Sequence, residues 1–489
     1  MRTRMQTVTT RGAMALLAVA ALAGCGGVAA KPTAVKGTVA GVSATSPVAG
    51  IQDDRVIQVG AKEAEERVQT MTRMGASLIR VDVRWDLVAT ARPKNPKDQN
   101  DPAYAWAVYD TVVDQAAKRG VRVLMTVWGT PTWAADPSVP TSARFPDYSR
   151  RPAKAGDYGN FAYAIASRYA SRGVRDWEMW NEPNIPLFLR PQFRKQGGTW
   201  VNVSVGTYSA LAKAFYANVK QVDAGSRIAG VVTSPAGDQC PSSCPRSATA
   251  RTSPSDFLSL INRPGNRPPM TAVSHHPYPI TTPRDTNFAG SSYIDLYNIN
   301  RFQQEVDRTY LRGKRLWLTE FGFATVKVGE YSLFVSEADQ AQYLQDAYRR
   351  VRTNSRIGMF VWYFLQDNGQ WGSGLLGRSG TPKPAAEVFS LPMSPMPASP
   401  IPPGGTATLV GQVRTTRRPT EVTVQATSGD EWNDVAVVTT GRDGSFALVV
   451  RPASSTTYRA TWTGDVPSGS RRTTSSWPVT VRVKGQAVR

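Results

Sequence analysis

Two hydrophobic rhythms divide this chain. From Val48 to about residue 390, short apolar runs alternate with stretches whose apolar residues recur at intervals of three and four. The runs lie at 48–52, 78–83, 121–128, 174–180, 227–234, 272–276, 315–321 and 357–364. Several are nearly continuous, such as Met359-Phe360-Val361-Trp362-Tyr363-Phe364, as expected of parallel strands buried on both faces. Between the runs, Tyr208, Leu211, Ala212, Phe215 and Val219 share one helical face. Ser336 with Asp339 has the form of a capping box ahead of Tyr343, Leu344, Ala347, Tyr348 and Val351. Residues 61–74 and 105–119 read as further helices. Eight strands with intervening helices over roughly 340 residues predict an α/β fold, a (β/α)8 TIM barrel. A doubly wound open sheet competes, but no glycine-rich dinucleotide fingerprint opens the first unit.

Beyond the barrel pattern of residues 48–390 the period changes to two. Alternating segments at 406–413, 421–426, 435–439, 445–450, 458–462 and 479–483 are separated by turn signals such as Arg442-Asp443-Gly444. That spacing predicts a small all-β, immunoglobulin-like sandwich over 404–489, suited to carbohydrate binding or to acting as a spacer. Residues 391–403 are rich in proline and read as a semi-rigid linker.

The start of the chain has a different character. Arg2, Arg4 and Arg11 flank an apolar stretch at 13–23 that is too short to span a bilayer. It ends in Leu22-Ala23-Gly24-Cys25, which resembles the bacterial lipobox. By that resemblance residues 1–24 are a signal peptide. Cys25 is then lipidated, and the protein is extracytoplasmic, anchored to the bacterial cell membrane; cleavage and secretion without lipid is the alternative. Residues 25–47, rich in Ala, Gly, Val, Thr and Ser, read as a flexible tether. Of three cysteines, Cys240 and Cys244 then remain as a pair able to close a small disulfide loop in an oxidising compartment. Zinc is disfavoured, because the only histidines, His275 and His276, are adjacent and would point to opposite faces of a strand.

Hydrophobic residues make up 41%, with 13 Trp and 17 Tyr, which excludes a disordered chain and suits both core packing and sugar stacking. The net charge of +21 favours anionic surfaces, including anionic envelope polymers. No dense basic run and no nucleic-acid motif accompanies it, so nucleic acid is discounted as a partner.

Two motifs carry chemistry. Trp180-Asn181-Glu182-Pro183-Asn184 follows the fourth strand, and Thr319-Glu320-Phe321-Gly322 ends the seventh. Barrel active sites lie at the C-terminal ends of strands, so two carboxylates on these strands can converge across the mouth. A glycosidase needs such a pair. Together the motifs resemble the clan A glycoside hydrolases, most closely families 39 and 5, over residues 48–390. The resemblance implies that Glu182 is the acid/base, that Glu320 is the nucleophile of a retaining mechanism, and that Asn181 binds the sugar 2-hydroxyl.

Other residues enter on the same likeness. Arg80, in Arg80-Val81-Asp82-Val83-Arg84-Trp85, is the candidate cation beside the nucleophile, with Arg84 as competitor. His276-Pro277-Tyr278 resembles the clan's His-x-Tyr, with Tyr278 a donor to Glu320 and His276 holding substrate or tuning Glu182; His275 is the structural histidine. Trp362 is the expected floor beneath the reacting sugar, Trp128 serves a neighbouring subsite, and Trp371 is a weaker candidate. The loops at 86–104, 130–157 and 185–203 should shape the cleft; the last carries Arg190, Arg194 and Lys195 and hints at an anionic glycan. The expected function is hydrolysis of O-glycosidic bonds, β-linked, in an extracellular or envelope polysaccharide without metal or organic cofactor. The alternative is a non-catalytic glycan-binding or envelope-adhesion lipoprotein.

Overall fold

The computed structural model describes residues 35–37, 46–238, 247–280, 292–327, 333–369, 371–416, 418–427, 431–465 and 471–485. Cys25, Cys240 and Cys244, with their expected lipidation and disulfide, lie outside the described residues.

Eight parallel strands close into a barrel in sequential order. They are β1 (Val48–Gln52), β2 (Leu78–Arg84), β3 (Arg122–Trp128), β4 (Asp176–Met179), β5 (Arg227–Thr233), β6 (Ala272–His275), β7 (Arg315–Phe321) and β8 (Ile357–Tyr363). Each is followed by a helix: α1 (Ala61–Arg73), α2 (Ala107–Lys118), α3 (Ala155–Tyr169), α4 (Ser204–Val222), α5 (Pro254–Ile261), α6 (Ile299–Asp307), α7 (Glu337–Thr353) and α8 (Pro384–Ser390). The barrel closes where β8 pairs with β1, from Met359 opposite Val48 to Tyr363 opposite Gln52.

Strand alternation sorts the side chains into two cores. Leu78, Leu124, Ala229, Ala272, Trp317, Met359 and Val361 pack together as one small buried cluster, the plug inside the barrel. Residues of opposite parity, among them Ile79, Val123, Leu318 and Phe360, join the larger core beneath the helices. Polar inward-facing residues begin above the plug, at Arg80, Thr126, Glu178, Ser274 and Thr319, all of them fully buried. The cap read at Ser336 is present: its Oγ accepts from the Asp339 amide at 3.0 Å.

The C-terminal strands are β9 (Met393–Met396), β10 (Ala407–Gln412), β11 (Glu421–Thr427), β12 (Asn433–Thr439), β13 (Ser445–Val450), β14 (Thr456–Asp465), β15 (Arg471–Ser475) and β16 (Val479–Val481). They form two sheets, one of β9, β10 and β13 and one built on β11, β12, β14, β15 and β16, around a shared core that includes Leu409, Val424, Phe446, Ala460 and Trp462.

Two expectations about connecting segments need correction. Residues 391–403 are not a free linker: β9 pairs antiparallel with β10, and Leu391, Met393 and Ile401 are buried in the sandwich core. Proline is tolerated in β9 because it is an edge strand, bonded on one side. Within the expected tether, Val35–Gly37 pairs in parallel with β12.

The sandwich rests on the barrel near the strands' N-terminal ends. The Arg414 guanidinium lies 3.9 Å from the Tyr348 ring centroid and donates to Phe389 O at 3.0 Å. Gly75, just before β2, has φ +94°, and a Cβ there would sit 2.5 Å from Arg414 Cβ. Gly75→Ala therefore combines left-handed backbone strain with a clash that neither domain can absorb. The expected loss is about 2–4 kcal/mol, measured by urea unfolding with both domains present.

Candidate active site

The site grows from one buried cation. Arg80 is fully buried on β2 and its planar fork reaches four elements. Nε donates to Glu178 Oε2 at 2.9 Å, and Nη2 donates to Asn181 Oδ1 at 2.9 Å. Nη1 donates to Glu320 Oε1 at 2.7 Å and also to Gln52 Oε1. Glu178, itself without solvent exposure, takes a further bond from Thr126 Oγ1 at 2.6 Å and one from Ser274 Oγ at 2.5 Å. Strands β2, β3, β4, β6 and β7 thus meet in one polar layer directly above the apolar plug.

Glu182 is positioned by strained backbone. Trp180 and Glu182 both have positive φ, 72° and 37°. For Glu182 this is doubly unfavourable, because a residue before proline is restricted to extended conformations. The neighbouring loops hold the turn in place. Trp180 Nε1 donates to Phe188 O at 3.0 Å, and Gln192 Nε2 donates to Pro183 O at 2.9 Å. Asn184 is the chief anchor. Its amide donates to Ser234 O and Ala236 O at 3.2 Å and to Thr252 O at 3.0 Å, and its Oδ1 accepts from the Ser234 amide at 2.8 Å. The Glu182 carboxyl is thereby held on the loop yet is only 8% exposed.

Glu320 owes its direction to an irregular register. Between Leu318 and Phe321 the β7–β8 pairing slips: Leu318 faces Phe360 and Phe321 faces Trp362, so three steps on β7 match two on β8. Such a bulge re-aims a side chain at the strand end. Thr319 and Glu320 consequently both serve the interior, Thr319 against Ser274 at 2.7 Å and Glu320 against Arg80. Tyr278 Oη donates to Glu320 Oε2 at 2.9 Å, and His276 Nδ1 lies 2.9 Å from Glu182 Oε1. One oxygen from each glutamate and a His276 ring nitrogen all fall within 4.8 Å of one another.

The two carboxyls have the same burial but different neighbours. Burial raises the Glu182 pKa to about 8, and Arg80 only partly opposes it. Burial raises Glu320 as well, and the charge on Glu182 adds to that; Arg80 and the Tyr278 hydroxyl oppose it. Glu320 touches the guanidinium directly, which favours ionisation of Glu320 over Glu182. Burial, then Arg80, holds the His276 pKa well below its usual value, so the ring is neutral. Its Nε2 faces the Arg80 Nη2 donor at 3.5 Å and must present a lone pair. The ring proton then sits on Nδ1 and is donated to Glu182.

The expected residues separate into those at the mouth and those elsewhere. Arg80, Asn181, Glu182, His276, Tyr278 and Glu320 converge. Trp128 shares parity with Thr126 and faces the mouth, packed edge-on against Tyr148 and Phe188, with its buried indole N–H lacking a partner among the described residues. Arg84 is not the cation of the pair: it is engaged by Asp86 at 2.6 and 2.8 Å and covers Trp128 and Tyr148. His275 is structural, stacked on Phe302, with burial pushing its pKa down to about 4.

Trp362 is a correction. Its ring is fully buried against Phe321 and its indole donates to Ser373 O at 2.9 Å, on the helix-facing side it shares with Phe360. Parity gives the inward place to Tyr363, which stands against Tyr278 and Trp371 and donates to Asp54 Oδ2 at 2.9 Å. Arg190 does not reach the cleft as a free cation either; it donates to Ser149 Oγ at 2.8 Å and Pro140 O at 3.0 Å.

Glu178, Gln52, Asp54, Asn184 and Tyr363 were not singled out from sequence. Glu178 could have been, because a carboxylate inside an apolar strand, four residues before Glu182, demands a buried partner. Among the described residues Glu182, His276 and Glu320 are the one group with metal-ligand spacing. Arg80 already supplies the positive charge there, which disfavours a second cation.

A model of the Cellulase family (glycosyl hydrolase family 5) matches residues 38–368. Among solved structures, a glucosidase from Croceicoccus marinus is 15% identical and aligns over 85% of this chain and 96% of that one, with TM-score 0.49. The GH5_18 protein from Streptomyces cattleya, solved with GlcNAc, is 13% identical over 74% of this chain and 84% of its own, with TM-score 0.48. A family 44 xyloglucanase from Paenibacillus polymyxa is 14% identical over 84% and 96%, with TM-score 0.42. No curated protein matches by sequence.

The polar layer generates a stability test. Glu178→Ala leaves Arg80 one anion short and frees the Thr126 and Ser274 hydroxyls in a buried space. The expected destabilisation is about 3–5 kcal/mol, read from chemical denaturation.

Proposed function

As the chain belongs to glycosyl hydrolase family 5, we propose that it cleaves O-glycosidic bonds, β-linked, in an extracellular or cell-envelope polysaccharide with retention of configuration. The observation that carries this reading is the unequal pairing of the two glutamates: Arg80 bonds Glu320 at 2.7 Å, while among the described residues Glu182 meets the neutral His276. That inequality supplies one ionised and one protonated carboxyl at the same pH. Their oxygens lie within 4.8 Å, nearer the roughly 5–5.5 Å of retaining pairs than the roughly 6.5–9.5 Å of inverting ones.

In the first step a Glu320 oxygen bonds to the anomeric carbon as the glycosidic C–O bond breaks, and Glu182 gives its proton to the departing oxygen. In the second, Glu182 takes a proton from water; the water oxygen bonds to the anomeric carbon and the Glu320 ester bond breaks. Asn181, oriented by Arg80, is placed to hold the 2-hydroxyl beside the reacting carbon. His276 Nδ1–H stabilises the carboxylate that Glu182 becomes after the first proton transfer. An acceptor sugar in place of water would make the same intermediate a transglycosylation donor. Lipid attachment at Cys25 puts this chemistry at the cell surface. Without Arg2, Arg4 and Arg11 of the signal peptide the membrane-held enzyme keeps a net charge of +18 and would be retained near anionic envelope polymers.

Two measurements test the proposal. Glu320→Ala should abolish turnover of aryl β-glycosides, by about 10⁴-fold or more; residual activity equal to wild type would remove Glu320 from the reaction. The pH profile of kcat/KM should be bell-shaped. Glu182 must be protonated and burial raises its pKa, so activity falls on the alkaline side. Glu320 must be ionised, so activity also falls on the acid side. In Glu182→Gln, assayed with a leaving group that needs no proton, the alkaline limb should vanish; its persistence would contradict the assignment.

A further inference from the structure

We propose that Gln52 is a positioning residue for the nucleophile: its side-chain amide, set by Asp54, keeps the Arg80 guanidinium closer to Glu320 than to Asp82. The inference rests on the glycoside-hydrolase reading above. Barrel closure puts Gln52 level with the chemistry, opposite Arg80 on β2 and opposite Tyr363 on β8. It is only 1% exposed. Its Oε1 accepts from Arg80 Nη1, and its Nε2 donates to Asp54 Oδ1 at 2.6 Å. Turned over, the amide would set N–H against N–H at Arg80 and oxygen against oxygen at Asp54, so its two neighbours permit one orientation. Asp54, half-buried in the turn after β1, is itself held, because its Oδ2 accepts from Tyr363 Oη at 2.9 Å.

The consequence falls on Arg80. Its Nη1 carries two hydrogens and faces three oxygens: Gln52 Oε1, Glu320 Oε1 at 2.7 Å and Asp82 Oδ1 at 3.4 Å. Gln52 takes one hydrogen and Glu320 the other, which leaves Asp82 Oδ1 an ion pair without a hydrogen bond among the described residues. Burial favours the neutral form of Asp82, and a guanidinium turned fully onto it would reverse that. Without the Gln52 oxygen, a guanidinium closed to water would hold one N–H unpaired, with Asp82 Oδ1 the partnerless acceptor beside it. Movement towards Asp82 draws Nη1 away from Glu320. Gln52 thus acts through Arg80 and needs no contact with substrate. Burial already raises the Glu320 pKa. Of the groups facing it, Arg80 and the Tyr278 hydroxyl favour the ionised form, Glu182, Asp54 and Asp82 oppose it, and His276 is neutral. Loss of part of the Arg80 contact raises that pKa further.

The test measures kcat/KM against pH, with melting temperature alongside, for wild type, Gln52→Met, Asp54→Asn and Asp54→Leu. The substrate is the best of the p-nitrophenyl β-glycosides of glucose, mannose, galactose and xylose. Gln52→Met keeps the length of the side chain and removes its oxygen and N–H groups. It should lower kcat/KM about 10- to 100-fold, mostly through kcat. Its acid limb should move to higher pH, because Glu320 must be ionised and its pKa has risen. The two Asp54 variants remove the same charge, but only Asp54→Asn keeps an acceptor for Gln52 Nε2. Asp54→Leu should be slower than Asp54→Asn by about tenfold or more. A merely structural Gln52 would lower the melting temperature and leave the acid limb in place. An unmoved acid limb in Gln52→Met, or equal rates in the two Asp54 variants, would overturn this inference and leave the hydrolase reading intact. Should Gln52→Met fail to fold, the Asp54 pair decides alone. Wild type inactive on all four glycosides would overturn the hydrolase reading and this inference with it.

Discussion

A guanidinium held wholly out of water is the constraint on which this active site depends. Arg80 cannot lose its charge, so every position around it must return an acceptor. Glu178 meets it from one side, where Thr126 and Ser274 complete the carboxylate's own bonding. With that edge of the planar fork committed, the remaining nitrogens are aimed at Gln52, Asn181 and Glu320. The direction of Glu320 and the orientation of Asn181 are thus consequences of a contact made deeper in the barrel. The cost of burying this network is offset by the apolar plug below it and the helix-covered core around it, which hold the strands in register whatever the polar layer requires.

The same scaffold tolerates strain where the chemistry sits. Glu182 is left-handed immediately before a proline, and Trp180 is left-handed two residues earlier. Neither conformation would persist in an isolated strand end. It persists because Asn184 ties the turn to the loops after β5 and Gln192 donates to the Pro183 carbonyl. This is stored conformational cost at a functional position, sustained by over-determined surroundings. It also brings Glu182 within 4.8 Å of Glu320.

The two glutamates illustrate how identical side chains acquire different properties. Both are about equally buried, at 8% exposure, so desolvation alone would push both towards neutrality. The difference lies in one ion pair and one tyrosine hydroxyl on Glu320, against a neutral imidazole on Glu182. The imidazole is neutral because burial disfavours its charged form and the guanidinium beside it adds to that, so the same Arg80 that favours ionisation of Glu320 also keeps His276 from doing as much for Glu182.

Much of this was legible in the chain. The eight apolar runs and their intervening helical faces determined the barrel, because burial on both faces of a strand leaves a mark that needs no tertiary information. The motifs at 180–184 and 319–322 determined where the carboxylates would fall, since strand order alone places the ends of β4 and β7 at one mouth. Alternation paired His276 with Tyr278, but it failed for Trp362: the sequence offers Trp362 and Tyr363 as equals, and only the register against β7 decides which one faces inward. A proline-rich stretch looked like a linker until β10 supplied a partner for its backbone. Glu178 stayed silent because a lone acid in a strand states a need without naming what meets it. Its role is decided by Arg80 and Thr126, 98 and 52 positions away in sequence, brought together only when the barrel closes. Local pattern thus set the elements and the chain order of the site; three-dimensional closure set which charges touch, because the partners of Arg80 lie on strands that meet only in the closed barrel.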